Sequence, residues 1–344
     1  MSTLASRANP TSRSSPGAGR PEWHAILADP VTDAAELCRL VGVAPPDAVA
    51  AGQVERGFPL LVPRTYLARI RRGDPHDPLL LQILPREEER DQPAGFTTDP
   101  VGEAHIARTC GLLRKYRGRA LMVATPDCAV HCRFCFRRHF PYPSLPKPPN
   151  RWEPALDEIA ADPSIREVIL SGGDPLTLDD GLLAQLAQRL AEIPHVRRLR
   201  VHTRVPIVIP QRVTEELLAW LRGTRLTPIV VVHVNHPAEI DDQVASALGR
   251  LVDAGVPVLS QSVLLRGVND RLDVLARLYE RLVDLRVMPY YLHQLDRVAG
   301  AAHFEVPEST GVELIEQLRA HLPGYAIPRY VRETPGEANK RVLG

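Results

Sequence analysis

Arg119-Ala-Leu-Met-Val-Ala-Thr-Pro-Asp-Cys128-Ala-Val-His-Cys132-Arg-Phe-Cys135 sets a short apolar run directly ahead of three cysteines spaced C-x3-C-x2-C. The run at 120–124 has the length and composition of a buried strand. It opens a rhythm that continues toward the C-terminus. Strand candidates recur at 167–171, 199–203, 228–234, 256–263 and 286–292, and amphipathic helix candidates lie at 180–192, 214–222, 241–254, 272–284 and 308–321. Strand and helix alternating every ~30 residues is the pattern of βαβ units and a parallel sheet.

Six such strands fit an open doubly wound sheet or an incomplete barrel. Polar and small residues close nearly every strand: Gly172-Gly173-Asp174, His202-Thr203-Arg204, His233, Gln261 and Tyr290 to His293. A barrel brings all those ends to one site, whereas a flat sheet offers only its switch-point crevice. The expected fold is therefore α/β, a partial (β/α)6 barrel over 106–325. Residues 1–22, rich in Ser, Pro, Gly and Arg, read as a disordered tail. Residues 23–105 read as a helical N-terminal region, 141–149 as a long loop over the barrel mouth, and 326–344 as a short C-terminal segment.

The 344 residues are 44% hydrophobic and 24% charged, ordinary for a globular protein large enough to bury a substantial core. The 42 basic and 41 acidic residues leave a formal charge of +1, which gives no electrostatic case for nucleic acid or an anionic membrane. No apolar run approaches the ~18 residues of a membrane span, and the N-terminus lacks the apolar core of a signal peptide. A cytoplasmic location is the default expectation. Five cysteines, three of them between 128 and 135, argue against a disulfide framework and for a metal site in a reducing compartment. Cys38 and Cys110 stand alone and read as buried small hydrophobes.

Thiolates are the preferred ligands of iron–sulfur clusters, and a [4Fe–4S] cube needs four ligands. Three cysteines leave one iron open to a small molecule. The alternative is a structural zinc site completed by His131 or His139, but such sites usually split their ligands into two distant pairs, and a second cysteine pair is missing from this sequence.

A C-x3-C-x2-C loop after the first strand of a partial barrel resembles the radical S-adenosylmethionine (SAM) superfamily. Cys132-Arg-Phe-Cys135-Phe-Arg137-Arg138-His139-Phe140 is more particular and resembles the lysine 2,3-aminomutase family, with a likeness running from Pro75-His-Asp-Pro78 to Lys340. The resemblance implies a [4Fe–4S] cluster on Cys128, Cys132 and Cys135, with SAM on its open iron and pyridoxal 5′-phosphate (PLP) as second cofactor. Ser171, Gly172, Gly173 and Asp174 match the family's glycine motif beside SAM, and His233 and Gln261 match further cofactor positions. Lys340 stands where the family has its PLP lysine, although one glycine follows Pro335 in place of a glycine run. Lys115, Tyr116 and Arg119 match the phosphate-binding stretch, with Lys115 where an arginine is common.

For the substrate, the resemblance assigns the amino-acid carboxylate to Arg137 and the far ammonium to Asp296 and Glu333. Glu333 keeps the sign of the family's aspartate but reaches one methylene further. The implied reaction is L-lysine to β-lysine, started by an external one-electron reductant. The chain closes four residues after Lys340, and Arg271 follows Val-Asn-Asp where larger members can have cysteine. Both features resemble the short form associated with modification of elongation factor P through a β-lysine ligase. On that resemblance no zinc is expected, and at most a small oligomer. The alternative is a free-standing aminomutase of lysine catabolism or osmolyte synthesis.

Overall fold

A computed structural model describes residues 21–46, 58–103, 111–145 and 152–344. Eleven strands lie among these residues. Pro30–Val31 (β1) and Val62–Pro63 (β2) pair antiparallel on their own. The rest form one sheet: Leu112–Leu113 (β3), Arg119–Thr125 (β4), Glu167–Gly172 (β5), Arg198–Thr203 (β6), Thr227–His233 (β7), Val258–Val263 (β8), Met288–His293 (β9), Arg329–Arg332 (β10) and Arg341–Val342 (β11). They stand in chain order from β3 to β11, with β4 to β10 mutually parallel and the two edge strands antiparallel to their neighbours.

The six expected strands are thus present, and β10 adds a seventh parallel one. The segment 326–344 is not an appendage to the barrel. Its two strands continue the sheet, with Tyr330 opposite Leu292 and Val331 opposite Val342.

Helices whose apolar residues recur at helical spacing alternate with the parallel strands and pack on them. Asp180–Glu192 buries Leu183, Leu186, Ala187 and Leu190, and Leu272–Asp284 buries Val274, Leu275, Leu278, Tyr279 and Leu282. Side chains before the helices fix where they start. Thr214 Oγ1 accepts from Leu217 N at 3.2 Å, and Asp241 Oδ1 from Val244 N at 2.9 Å, each satisfying an amide that the first turn leaves free.

The inner face shows that the sheet is curved. Leu121 of β4, Ile169 of β5, His202 of β6, His233 of β7, Gln261 of β8, His293 of β9 and Glu333 just past β10 all line one cavity. In a flat sheet the six spacings of ~4.8 Å from β4 to β10 would separate the end members by roughly 29 Å. Only a barrel-like curl brings them together.

The N-terminal region is less helical than its sequence suggests. Among its described residues, Glu22–Ala28 and Ala34–Val41 are helices, Arg64–Leu67 and Pro78–Leu81 are single turns, and much of the remainder is irregular. Prolines at 59, 63, 75, 78, 85 and 93 interrupt the backbone ladder there. Cys38 is fully buried, as expected of a small hydrophobe, whereas Cys110 and most of the 141–149 loop lie outside the described residues. No described helix is long and apolar enough to cross a membrane.

Candidate active site

The cavity holds about 480 Å³, a size typical of small-molecule sites. It is lined by Cys128, Cys132 and Cys135, by Ser171 to Asp174, by His233 and Gln261, by Lys115, Tyr116 and Arg119, and by Arg137, Asp296, Glu333 and Lys340. The residues that the resemblance assigns to cluster, cofactors and substrate thus all line one cavity.

The cysteine loop leaves the end of β4 and is held from two sides. On one side, Gly173 N donates to Thr125 O at 2.8 Å and Asp174 N to Asp127 O at 2.7 Å. Gly172 has φ +113°, a conformation open to glycine. A Cβ on Gly173 would lie 2.2 Å from Asp127 O. The glycine pair is thus required by the close approach of β5 to the loop, whatever it also offers a ligand. On the other side, the N-terminal region clamps the loop: His131 N donates to Leu61 O, and Arg133 N to Gln82 O, both at 2.9 Å.

The sequence reading groups Asp174 with the SAM contacts. In the structure its carboxylate is committed to protein donors: Thr203 Oγ1 at 2.7 Å, Arg204 N at 2.6 Å, and Leu176 N and Val205 N at 3.1 Å. Its part in the site is to brace the ends of β5 and β6 against each other. Ser171 Oγ accepts from Arg137 Nη1 at 3.0 Å.

Burial pushes all three thiols up, Cys135 to about 11. They become thiolates where a bound metal takes the proton's place. Among the described residues, no three His, Cys, Asp or Glu side chains converge on the position of a single ion. A cube attaches each thiolate to a different iron and needs no such convergence. His139 is not among the residues that line the cavity; its Nε2 lies 3.1 Å from Ala299 O, and His131 Nδ1 lies 2.8 Å from Pro59 O. The donor set fits a cluster better than zinc.

Further polar atoms await a ligand. Among the described residues, His202 Nε2 and His233 Nε2 are buried without a partner. Burial, then the nearby Arg204, push His233 down to about 3, so its ring is a neutral donor or acceptor. At the far end of the cavity, Arg119 stands 4.6 Å over the Tyr116 ring, and Tyr290 stacks on Tyr291 at 3.8 Å. A guanidinium framed by aromatic rings suits a phosphorylated aromatic cofactor.

Between these ends runs a file of alternating charges. Arg137 donates through Nε and Nη2 to Glu103 at 2.7 and 3.2 Å. Lys115 Nζ lies 3.4 Å from Glu103 Oε1 and 3.2 Å from Glu333 Oε1. Glu333 also takes the Tyr116 hydroxyl at 2.6 Å and the Lys340 ammonium. Burial pushes the Glu333 carboxyl up, but Lys340, Tyr116 and Lys115 outweigh it and hold the group below the usual range. Lys115, which the resemblance assigns to phosphate, is instead held between two carboxylates. Asp296 shares the cavity, and burial pushes its carboxyl up to about 7.

Sequence reasoning misses Glu103, Gln82 and Glu239, and gives Arg204 no role beyond closing a strand. Arg204 was the most legible of these, as a charge at the end of an apolar strand.

Residues 122–278 match the family model described as the radical SAM superfamily. The chain is 44% identical over 325 residues to a protein named L-lysine 2,3-aminomutase from Escherichia coli, covering 94% of this chain and 95% of that one. It is 43% identical to the like-named protein of Haemophilus influenzae, covering 92% and 94%. The like-named protein of Clostridium subterminale is 37% identical, covering 93% of this chain and 77% of its own length.

Proposed function

The chain belongs to the lysine 2,3-aminomutase family of radical SAM enzymes, and on that premise we propose that it moves the α-amino group of L-lysine to C3, giving β-lysine. It is an isomerase, and its family implies a [4Fe–4S] cluster, SAM and PLP. Bound, the cluster and SAM supply a carbon radical able to take a hydrogen atom, and PLP supplies the carbonyl that carries the amino group.

One observation carries the substrate assignment. Glu333 already holds the ammonium of Lys340, the same alkylammonium that free lysine carries at its far end, in a cavity that also contains Arg137 and Asp296. Glu103 takes Nε and one Nη2 hydrogen of Arg137 and Ser171 takes one Nη1 hydrogen, which leaves one hydrogen on each Nη to a substrate carboxylate. Asp296, with its carboxyl near neutrality, accepts a second cation without being a permanently buried anion. Cys128, Cys132 and Cys135 would hold the cluster, His233 and the strand ends beside it SAM, and Arg119 and Tyr116 the cofactor phosphate. Lys340, once released from Glu333, is the amine that would hold PLP between turnovers.

The test is anaerobic reconstitution with iron, sulfide and PLP, followed by L-lysine, SAM and dithionite, with β-lysine assayed by mass spectrometry. β-Lysine from the wild type, lost in both Cys132→Ala and Lys340→Ala, establishes the reaction. An intact cluster that cleaves SAM yet yields no β-lysine discards lysine as substrate.

The product's use is assigned to elongation factor P, with a β-lysine ligase as the next enzyme. Arg271 after Val-Asn-Asp, where larger members can have cysteine, supports this reading. Transfer of the enzyme's own product onto the factor by that ligase tests it.

A further inference from the structure

Arg204 follows β6 and is held in place by its surroundings to an unusual degree. Its backbone N–H is pinned by Asp174 Oδ2 at 2.6 Å. Its Nη2 donates to Gln82 Oε1 at 2.7 Å and to Glu239 Oε2 at 2.8 Å. Those partners are fixed in turn: Asn235 N and His236 N donate to Glu239 Oε1 at 2.9 and 3.0 Å, and Asn235 Nδ2 donates to Gln82 Oε1 at 2.9 Å. The rings of Phe134 and Tyr66 lie 5.5 and 5.9 Å from the guanidinium. The remaining arm, Nη1, donates to Cys132 Sγ at 2.7 Å.

The Arg204 side chain is 5% exposed and that of Glu239 0%. A buried ion pair is costly to desolvate and is weak evidence for stability by itself. Here the pair is oriented: its cationic end touches a cluster ligand, and its anionic end points away toward the N-terminal region. We propose that Arg204 is a positioning and tuning residue for the cluster, fixing the Cys132 thiolate and making the cluster easier to reduce. Hydrogen bonds to cluster sulfurs and nearby positive charge both favour the more negative, reduced form. Reduction adds one electron without adding a proton, so a fixed donor and a fixed charge are the means available. Glu239 and Gln82 set the strength of the effect by holding the guanidinium against the sulfur.

The inference rests on the assignment of the three thiols to a cluster, so the experiment reads both. The full chain is reconstituted anaerobically with iron and sulfide, and the cluster's midpoint potential is measured by EPR-monitored titration with dithionite and mediators, without SAM or substrate. Arg204→Gln is expected to move the potential to a more negative value. Glu239→Gln, which leaves the arginine charge uncompensated, is expected to move it the opposite way. Because Arg204→Gln strands a buried carboxylate, the Arg204→Gln/Glu239→Gln double variant is made alongside, and its potential too should lie below that of the wild type. Shifts of opposite sign from the two ends of one ion pair are not produced by general loosening of the fold. A wild type that binds no cluster overturns the thiol assignment and this inference with it. A loaded wild type beside variants with unchanged potentials, or with shifts of the same sign in both single variants, overturns this inference alone.

Discussion

The Lys340 ammonium is paired with the Glu333 carboxylate, and the two residues face each other because β10 and β11 are antiparallel neighbours. Glu333 leaves the end of β10 and Lys340 leads into β11, so a tight return of the chain brings them together at the cavity. The side chain of Glu333 is 8% exposed and that of Lys340 24%, so the lysine is the partner nearer to solvent. The pair places the amine at the cavity.

Glu333→Gln removes the charge that receives an ammonium and keeps the shape. A hydrogen bond to a charged group contributes about 1.5–3 kcal/mol, so lysine affinity should fall by ~10- to 100-fold. Calorimetric titration of lysine into the PLP-loaded protein without SAM measures it. Unchanged affinity would remove Glu333 from the substrate site.

Asp296 makes lysine binding depend on pH. Burial pushes its carboxyl up to about 7, with Lys340 pulling it down and Glu333 pushing it further up. In the unfolded chain an aspartate ionises near ~3.9. The folded pKa is raised, so this group's contribution to stability is complete below about pH 4 and is lost as pH rises through 7. An incoming ammonium favours the ionised form instead. Lysine affinity should rise up to about tenfold per pH unit below 7 and level off above it. Asp296→Asn should flatten that profile, and a variant with the wild-type pH slope would assign it to another group.

Arg137→Lys keeps a positive charge but gives up the side-on grip of Glu103 and the contact with Ser171. A guanidinium fork binds carboxylate in two places, whereas an ammonium acts as a point charge. Affinity for lysine should drop by ~10-fold or more, while that for 1,5-diaminopentane, which is lysine without its carboxylate, should hold. Equal losses for both amines would mean that Arg137 serves structure alone.

Gly173→Ala would place a methyl group 2.2 Å from Asp127 O at the root of the cysteine loop. Overpacking of this kind costs about 1–3 kcal/mol, and here it should also lower iron bound per chain. Gly249, in the helix Asp242–Asp253, has open space where a Cβ would go. Gly249→Ala should raise stability by up to ~1 kcal/mol and leave iron content unchanged. Denaturant unfolding and iron assay of the two variants separate loop geometry from general stability.

Much of this protein is legible in the sequence because its signals are local. Six parallel strands and their helices follow from apolar runs and helical spacing, and the cysteine loop from its ligand types. β10 was less legible: Arg329-Tyr-Val-Arg332 is short and ends on charges, and it becomes a strand through pairing with β9. Glu103, Gln82 and Glu239 carry no local signature. Glu103 stands 34 residues from Arg137, and Gln82 stands 122 and Glu239 35 residues from Arg204, so their roles arise only when the chain folds back on itself.

The sequence by itself determined which elements form and which residue types are present for catalysis, since periodicity and ligand chemistry are properties of neighbouring residues. The tertiary structure alone decided how those residues are paired. It placed Lys115 between Glu103 and Glu333, committed the Asp174 carboxylate to the ends of the strands, and set Arg204 on Cys132. Such pairings follow from burial. In a site withdrawn from water each charge and each polar group needs a partner within hydrogen-bond reach, and only the curl of the sheet decides which partners are near.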